Sequence, residues 1–177
     1  MAGENLESKR WIIAIAAIVM QLSLGCVYAW SVFKKALIAN HGWTETQTQF
    51  TFVLCIGLIG LFCAFGGTIL DKKGPRFTGT LGGILYGLGT ILAGYADHIG
   101  SLWLLYLGYG VIAAIGNGFG YITPIATLVR WFPDKRGLVT GLAVMGFGMG
   151  AFFMGKIAPV NINNMGVANT FYLWGVI

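Results

Sequence analysis

The stretch IGNGFGYITPIATLVRWFPDKRGLVTGLAVMGFGMGA, residues 115–151, decides the fold of this chain. An apolar, glycine-rich run ends at Arg130. A short basic turn follows, Trp131-Phe132-Pro133-Asp134-Lys135-Arg136, and a second apolar, glycine-rich run starts at Gly137. Two long apolar segments joined by a tight basic loop read as membrane helices meeting at the cytoplasmic face.

The same alternation extends in both directions. Hydrophobic residues make up 56% of the chain and charged residues only 10%, against about 25% charged in a soluble domain. Spans are expected at 11–33, 50–70, 77–95, 102–129 and 137–159, with a sixth beginning at 171–177. Each complete run approaches or exceeds the roughly 20 residues needed to cross about 30 Å of hydrocarbon. Seven helical residues rise only about 10 Å, so the sixth span reads as truncated. Residues 1–10 read as a cytoplasmic tail, and 11–177 as one transmembrane helical half. The first apolar run is longer than the roughly 7–15 residues of a signal peptide, which makes it an uncleaved span. The predicted class is an all-α polytopic membrane protein with no cofactor.

Loop charge sets the orientation. With the N-terminus inside, the inner segments hold Lys9, Arg10, Lys72, Lys73, Arg76, Arg130, Lys135 and Arg136, and the outer ones Lys34, Lys35 and Lys156. This bias places the N-terminus in the cytoplasm. It also accounts for the net charge of +5 without a nucleic-acid partner. Cys26, Cys55 and Cys63 fall inside apolar runs and read as small buried hydrophobes rather than metal ligands. Of the 28 glycines, Gly79, Gly83 and Gly87 share one face of span 3, an expected seam for close helix packing.

Two glycine-rich stretches, Gly116-Asn-Gly-Phe-Gly and Gly146-Phe-Gly-Met-Gly, imitate a dinucleotide fingerprint. Neither follows a strand in a βαβ unit, so neither is read as a cofactor site. No acidic residue is expected within a span; Asp71, Asp97 and Asp134 are all assigned to loops. Polar groups remain on two faces. Gln21, Gly25 and Tyr28 share one face of span 1, and Asn117, Tyr121 and Pro124 one face of span 4. Both spans carry Gly-x-x-Tyr, at Gly25–Tyr28 and Gly118–Tyr121. These match the equivalent positions of an inverted three-helix repeat, where carriers place substrate contacts. The competing reading is interhelical hydrogen bonding, or for Trp30 an interfacial aromatic belt.

The loop Gly67-x-Ile-x-Asp71-Lys72-x-Gly74-Pro75-Arg76 resembles the loop 2–3 signature of the major facilitator superfamily. Asp71, Lys72, Gly74 and Arg76, with Arg130, are expected to form a cytoplasmic gate. A purely topogenic loop would explain the basic residues but not the spacing of Asp71 from Gly67 and Gly74. The segment from Gln21 to Phe33, with Arg130-Trp-Phe-Pro-Asp-Lys-Arg-Gly137 and the glycine-rich run after it, resembles the oxalate–formate antiporter family. That family lies within the same superfamily and is related to the monocarboxylate carriers.

The resemblance implies the N-terminal six-helix half of a twelve-helix fold, with a missing C-terminal half as its partner. It implies transport of a small organic anion across a plasma membrane, in bacteria the inner membrane, by alternating access. It places Tyr28 and Trp30 on the cavity side of span 1 and Tyr121 on that of span 4, with basic residues of the second half neutralising the anion. Val27 stands where well-known oxalate carriers have Gln before the tyrosine, which favours a monocarboxylate. Gln21 and Asn117 complete the candidate substrate contacts. A facilitator of another small solute and a non-transporting membrane subunit are the alternatives. An intramembrane enzyme would need a nucleophile–base pair, paired Asp or a metal motif within its spans, and the sequence offers none.

Overall fold

The computed structural model describes the backbone of residues 2–177 and the side chains of residues 9–177; the side chains of the first eight residues of the expected tail lie outside it. The chain forms α1 (Ala2–Gly25), a 3-10 turn (Cys26–Ala29), α2 (Trp30–His41), α3 (Glu45–Ile99), α4 (Leu102–Leu105), a π-helical stretch (Tyr106–Ala113), α5 (Ala114–Trp131) and α6 (Arg136–Val176). These make four helical rods long and apolar enough to cross a membrane: Lys9–His41, Glu45–Ile99, Leu102–Trp131 and Arg136–Val176.

Two rods are too long to be single spans. A helix of 55 residues would extend about 80 Å, far beyond the bilayer. α3 is broken at Gly74, with φ 82° and ψ 170°, and α6 at Gly166, with φ 83° and ψ 170°. Only glycine takes that backbone conformation readily. The chain folds back at Gly74, because Gly66 before it and Gly82 after it both abut α5, at Phe119 and at Gly116 and Gly120. At Gly166 the partner changes. Gly146 and Gly150 lie against α1, whereas Ala168 and Gly175 lie against the second half of α3.

The expected loops are shorter than the sequence suggests. The tail continues into helix from Ala2. The Asn-rich segment containing Asn161, Asn163 and Asn164 is helical, and α6 runs through Pro159 to the break at Gly166. Asparagine disfavours a helix only weakly, and no residue before Gly166 releases the backbone. After the break, Thr170 donates to the Gly166 carbonyl at 2.7 Å. The connection at 42–44 is closed by Gly42 at φ 67° and by a reciprocal Thr44–Gln47 capping box.

The glycine seam also differs from expectation. Gly83 faces open space, and Gly79 meets Thr123 at ordinary contact distance. The tight contacts fall on Gly82 and Gly89, two turns apart, where a Cβ would lie 2.7 Å from Gly120 N and 2.2 Å from Ala113 N. A strict four-residue spacing drifts around a helix of 3.6 residues per turn, whereas seven residues return to the same face. Gly87 packs separately, against Gly175.

Asp97 is helical and 8% exposed, not a loop residue. Its carboxylate lies 2.7 Å from His41 Nε2, and the His41 ring stacks on Trp43. This contact ties the end of α2 to the end of α3. Leaving a buried acceptor unpaired costs about 1–3 kcal/mol. His41→Leu is therefore expected to lower thermal stability by that amount in detergent, and His41→Leu/Asp97→Leu to recover most of it. Equal melting temperatures for wild type and His41→Leu would show that the contact contributes nothing.

Candidate functional site

Tyr28 and Tyr121, which arise on different rods, meet the same third residue. The Tyr28 ring sits edge-on to Phe147 at 5.4 Å and to Phe52 at 6.3 Å; the Tyr121 ring sits edge-on to Phe147 at 5.0 Å. Tyr28 is 50% exposed, while Phe147 is buried between the tyrosines. The result is an aromatic cluster built from α1–α2, α3, α5 and α6, with a phenolic hydroxyl from each half of the sequence. Phe147 was not singled out from sequence, because one more aromatic in an apolar run carries no signal of its own. Its flanking Gly146 and Gly148 are the only hint. Gly146 brings the backbone close to Ile18 of α1.

Gln21 and Asn117 are fully buried and take part in interhelical bonds. Gln21 Nε2 donates to the Tyr121 carbonyl at 3.4 Å, and Asn117 Nδ2 donates to the Leu24 carbonyl at 3.0 Å. Each amide reaches the backbone of the other's helix, so the pair stitches α1 to α5. Their carbonyl oxygens have no hydrogen-bond partner among the described residues. Trp30 is 2% exposed and stacks on Tyr109 at 4.8 Å and 29°. Its ring thus lies away from the aromatic cluster.

A cavity of about 650 Å³ holds none of Tyr28, Tyr121 and Phe147. It runs beside Gly79, Gly83 and Gly87 of α3 and Trp174–Ile177 of α6, and its walls are mostly apolar. No lysine, arginine or histidine lines it, so it offers an anion no compensating charge.

Asp71, Lys72, Gly74, Arg76 and Arg130, expected from sequence to form a gate, lie at the end of the bundle that holds the Gly74 turn. Arg130 Nη2 donates to Asp71 Oδ1 at 2.6 Å, which joins the end of α5 to the α3 break. Both side chains are more than half exposed. Lys72 and Arg76 are exposed and form no ion pair with any described residue, and Gly74 supplies the reversal. A second ion pair, Arg10–Asp134, lies at the turn between α5 and α6. The Arg10 guanidinium sits 4.4 Å over the Phe132 ring.

A backbone hydrogen bond at Asp134 itself, then the Arg10 guanidinium, hold the Asp134 carboxyl below its ordinary range. A depressed carboxylate contributes stability above its unfolded pKa and loses it as the pH falls through the folded value. An exposed pair such as Asp71–Arg130 contributes about 0–1 kcal/mol to stability. Asp71→Asn is therefore expected to leave the melting temperature within a few degrees while changing transport rate. A rate equal to wild type in proteoliposomes would remove the pair from the gate.

The long apolar rods define a polytopic helical membrane class, and comparison with known proteins gives the family. Residues 10–177 match the family model of the Major Facilitator Superfamily, and the chain belongs to that family. It is 32% identical over 178 residues to an uncharacterized MFS-type transporter, YhjX, of Escherichia coli K12, covering 100% of this chain and 43% of the relative. It is 31% identical over 175 residues to the oxalate:formate antiporter of Oxalobacter formigenes, covering 98% and 41%. It is 25% identical over 168 residues to monocarboxylate transporter 14 of Mus musculus, covering 94% and 32%. The chain thus spans well under half the length of these curated relatives. Family membership and the four long apolar rods make it a multi-pass membrane protein.

Proposed function

We propose that the chain is the N-terminal half of a secondary carrier that moves a small carboxylate anion across the plasma membrane by alternating access. The observation that carries this reading is the convergence of Tyr28 and Tyr121 on Phe147. Two phenolic donors then lie near one face, and one of the two rings is half exposed. The oxalate:formate antiporter and the monocarboxylate transporter among its relatives support the substrate class.

A carboxylate leaving water needs hydrogen-bond donors and opposite charge. Tyr28 and Tyr121 supply donors, and no Lys or Arg flanks them in sequence. Positive charge then comes from the second half of the carrier, which closes over the aromatic cluster. Gln21 and Asn117 hold α1 and α5 in register behind the tyrosines through their interhelical bonds. Asp71 and Arg130 hold the cytoplasmic side shut, with Lys72 and Arg76 free to meet acidic groups or lipid phosphate. The N-terminus lies inside, and the setting is a bacterial inner membrane.

The test is counterflow in proteoliposomes. The carrier is loaded with unlabelled lactate, formate or oxalate and supplied with the labelled anion outside. Accumulation of label, inhibited by other short carboxylates and not by nitrate or neutral solutes, is the expected result. Inhibition by nitrate alone would assign the carrier to another anion.

A further inference from the structure

Two stretches of the bundle depart from α-helix, and a ring stack from the residue after one reaches into the other. Cys26–Ala29 winds as a tighter 3-10 turn and carries Tyr28, whereas Tyr106–Ala113 winds as a wider π-helix and carries Tyr109. Both windings have poorer hydrogen-bond geometry than an α-helix and persist where neighbours hold them. Trp30 is the first residue after the 3-10 turn, and its ring stacks on Tyr109. Tyr109 also packs on Phe171 at 5.9 Å, and Phe171 stacks on Phe33 at 4.4 Å. The four rings form a chain of three contacts from α2 through the π stretch and α6 back to α2, one turn from Trp30. All four are buried.

Tyr28 points elsewhere. At three residues per turn, a residue two positions from Trp30 lies about 120° away around the axis. The Tyr28 ring accordingly meets Phe147 and Phe52, not Tyr109. The rotation of this one turn therefore decides two things together: that Trp30 seats in the aromatic chain, and that Tyr28 faces the open cluster. The Trp30 indole N–H has no acceptor among the described residues, so the ring is held by packing rather than by a hydrogen bond.

We infer that Trp30 and Tyr109 are positioning residues, whose stack anchors the residue that follows the 3-10 turn to the π stretch and so fixes the rotation of that turn and aims Tyr28 at the substrate. The substrate part of this statement rests on the proposed function; the aiming part does not, and the two are tested separately.

For aiming, Tyr28→Cys is placed in a chain whose native cysteines are Ala, reconstituted in nanodiscs. Its rate of labelling by a membrane-impermeant methanethiosulfonate is compared across second-site variants. A thiol at Met145, exposed on α6, serves as reference. Trp30→Phe and Tyr109→Phe keep a ring and are expected to leave the ratio of the two rates unchanged. Trp30→Leu and Tyr109→Leu remove the stack and are expected to change it by about three- to tenfold, the equilibrium shift an aromatic pair can hold. The double Leu variant is expected to add nothing to either single one. An unchanged ratio in the Leu variants overturns the inference, as does an equal change at both thiols, which signals general loosening.

For the substrate, lactate counterflow by the Trp30→Leu carrier with Tyr28 intact is expected to show a raised KM at near-normal maximal rate, restored by Trp30→Phe. A labelling change without a KM change retains the aiming role and removes Tyr28 from the site.

Discussion

Gly25→Ala and Gly116→Ala are each expected to destabilise the bundle severely, while Gly83→Ala does not destabilise it. A Cβ at Gly25 would lie 1.8 Å from the Phe147 carbonyl oxygen, and one at Gly116 2.2 Å from Tyr86 N. Real Cβ atoms essentially never approach closer than 3.0 Å. In both cases the obstacle is backbone on a neighbouring rod, which cannot rotate away as a side chain can. Relief requires α1 to separate from α6, or α5 from α3, by about an ångström, and every contact along that seam weakens together. We expect a loss of about 3 kcal/mol, the upper end for overpacking, read as a fall in melting temperature and in the monodisperse fraction in detergent. Gly83 has nothing within 4 Å of its would-be Cβ, and its replacement gains helix propensity of about 1 kcal/mol. A Gly116→Ala protein as stable as Gly83→Ala would show that the rods are not seated as described.

Tyr28→Phe and Tyr121→Phe carry the largest expected functional effect. Each removes one hydroxyl and leaves the ring, so the edge-on contacts to Phe147 persist and expression is expected to be normal. A hydrogen bond to a charged group contributes about 1.5–3 kcal/mol, which corresponds to about a 10- to 100-fold rise in KM for the transported carboxylate. The double variant is expected to lose measurable counterflow at millimolar anion. If either single variant keeps wild-type affinity, its hydroxyl does not meet the substrate, and the cluster is a packing element only.

The spans were legible because hydrophobicity over a membrane's thickness dominates every other pattern. The loop motif around Asp71 was legible too, and the Asp71–Arg130 bond joins two residues assigned to one gate from sequence. What escaped were pairings between distant positions. Asp97 and His41 stand 56 residues apart, and each alone looked like an ordinary loop residue. Trp30 reads from sequence as a cavity or belt residue, and Tyr109 carries no signal that pairs it with Trp30. Gln21 and Asn117 presented the right chemistry for either a cavity or a helix joint, and only the position of a backbone carbonyl distinguishes the two. The Asn-rich segment misled for another reason. Polarity suggested a loop, but a loop forms where the backbone is released, and Gly166 alone has that freedom there.

The breaks at Gly74 and Gly166 share nearly the same backbone angles and stand 92 positions apart. Each lies inside a rod too long for a single crossing. At both breaks, helix runs up to the glycine and resumes directly after it, so the charged residues around Gly74 and the asparagines around Gly166 lie on helix ends rather than in a separate linker. The turning of each long rod thus depends on a single residue, and any side chain placed at either position sets the hinge against its own backbone preference.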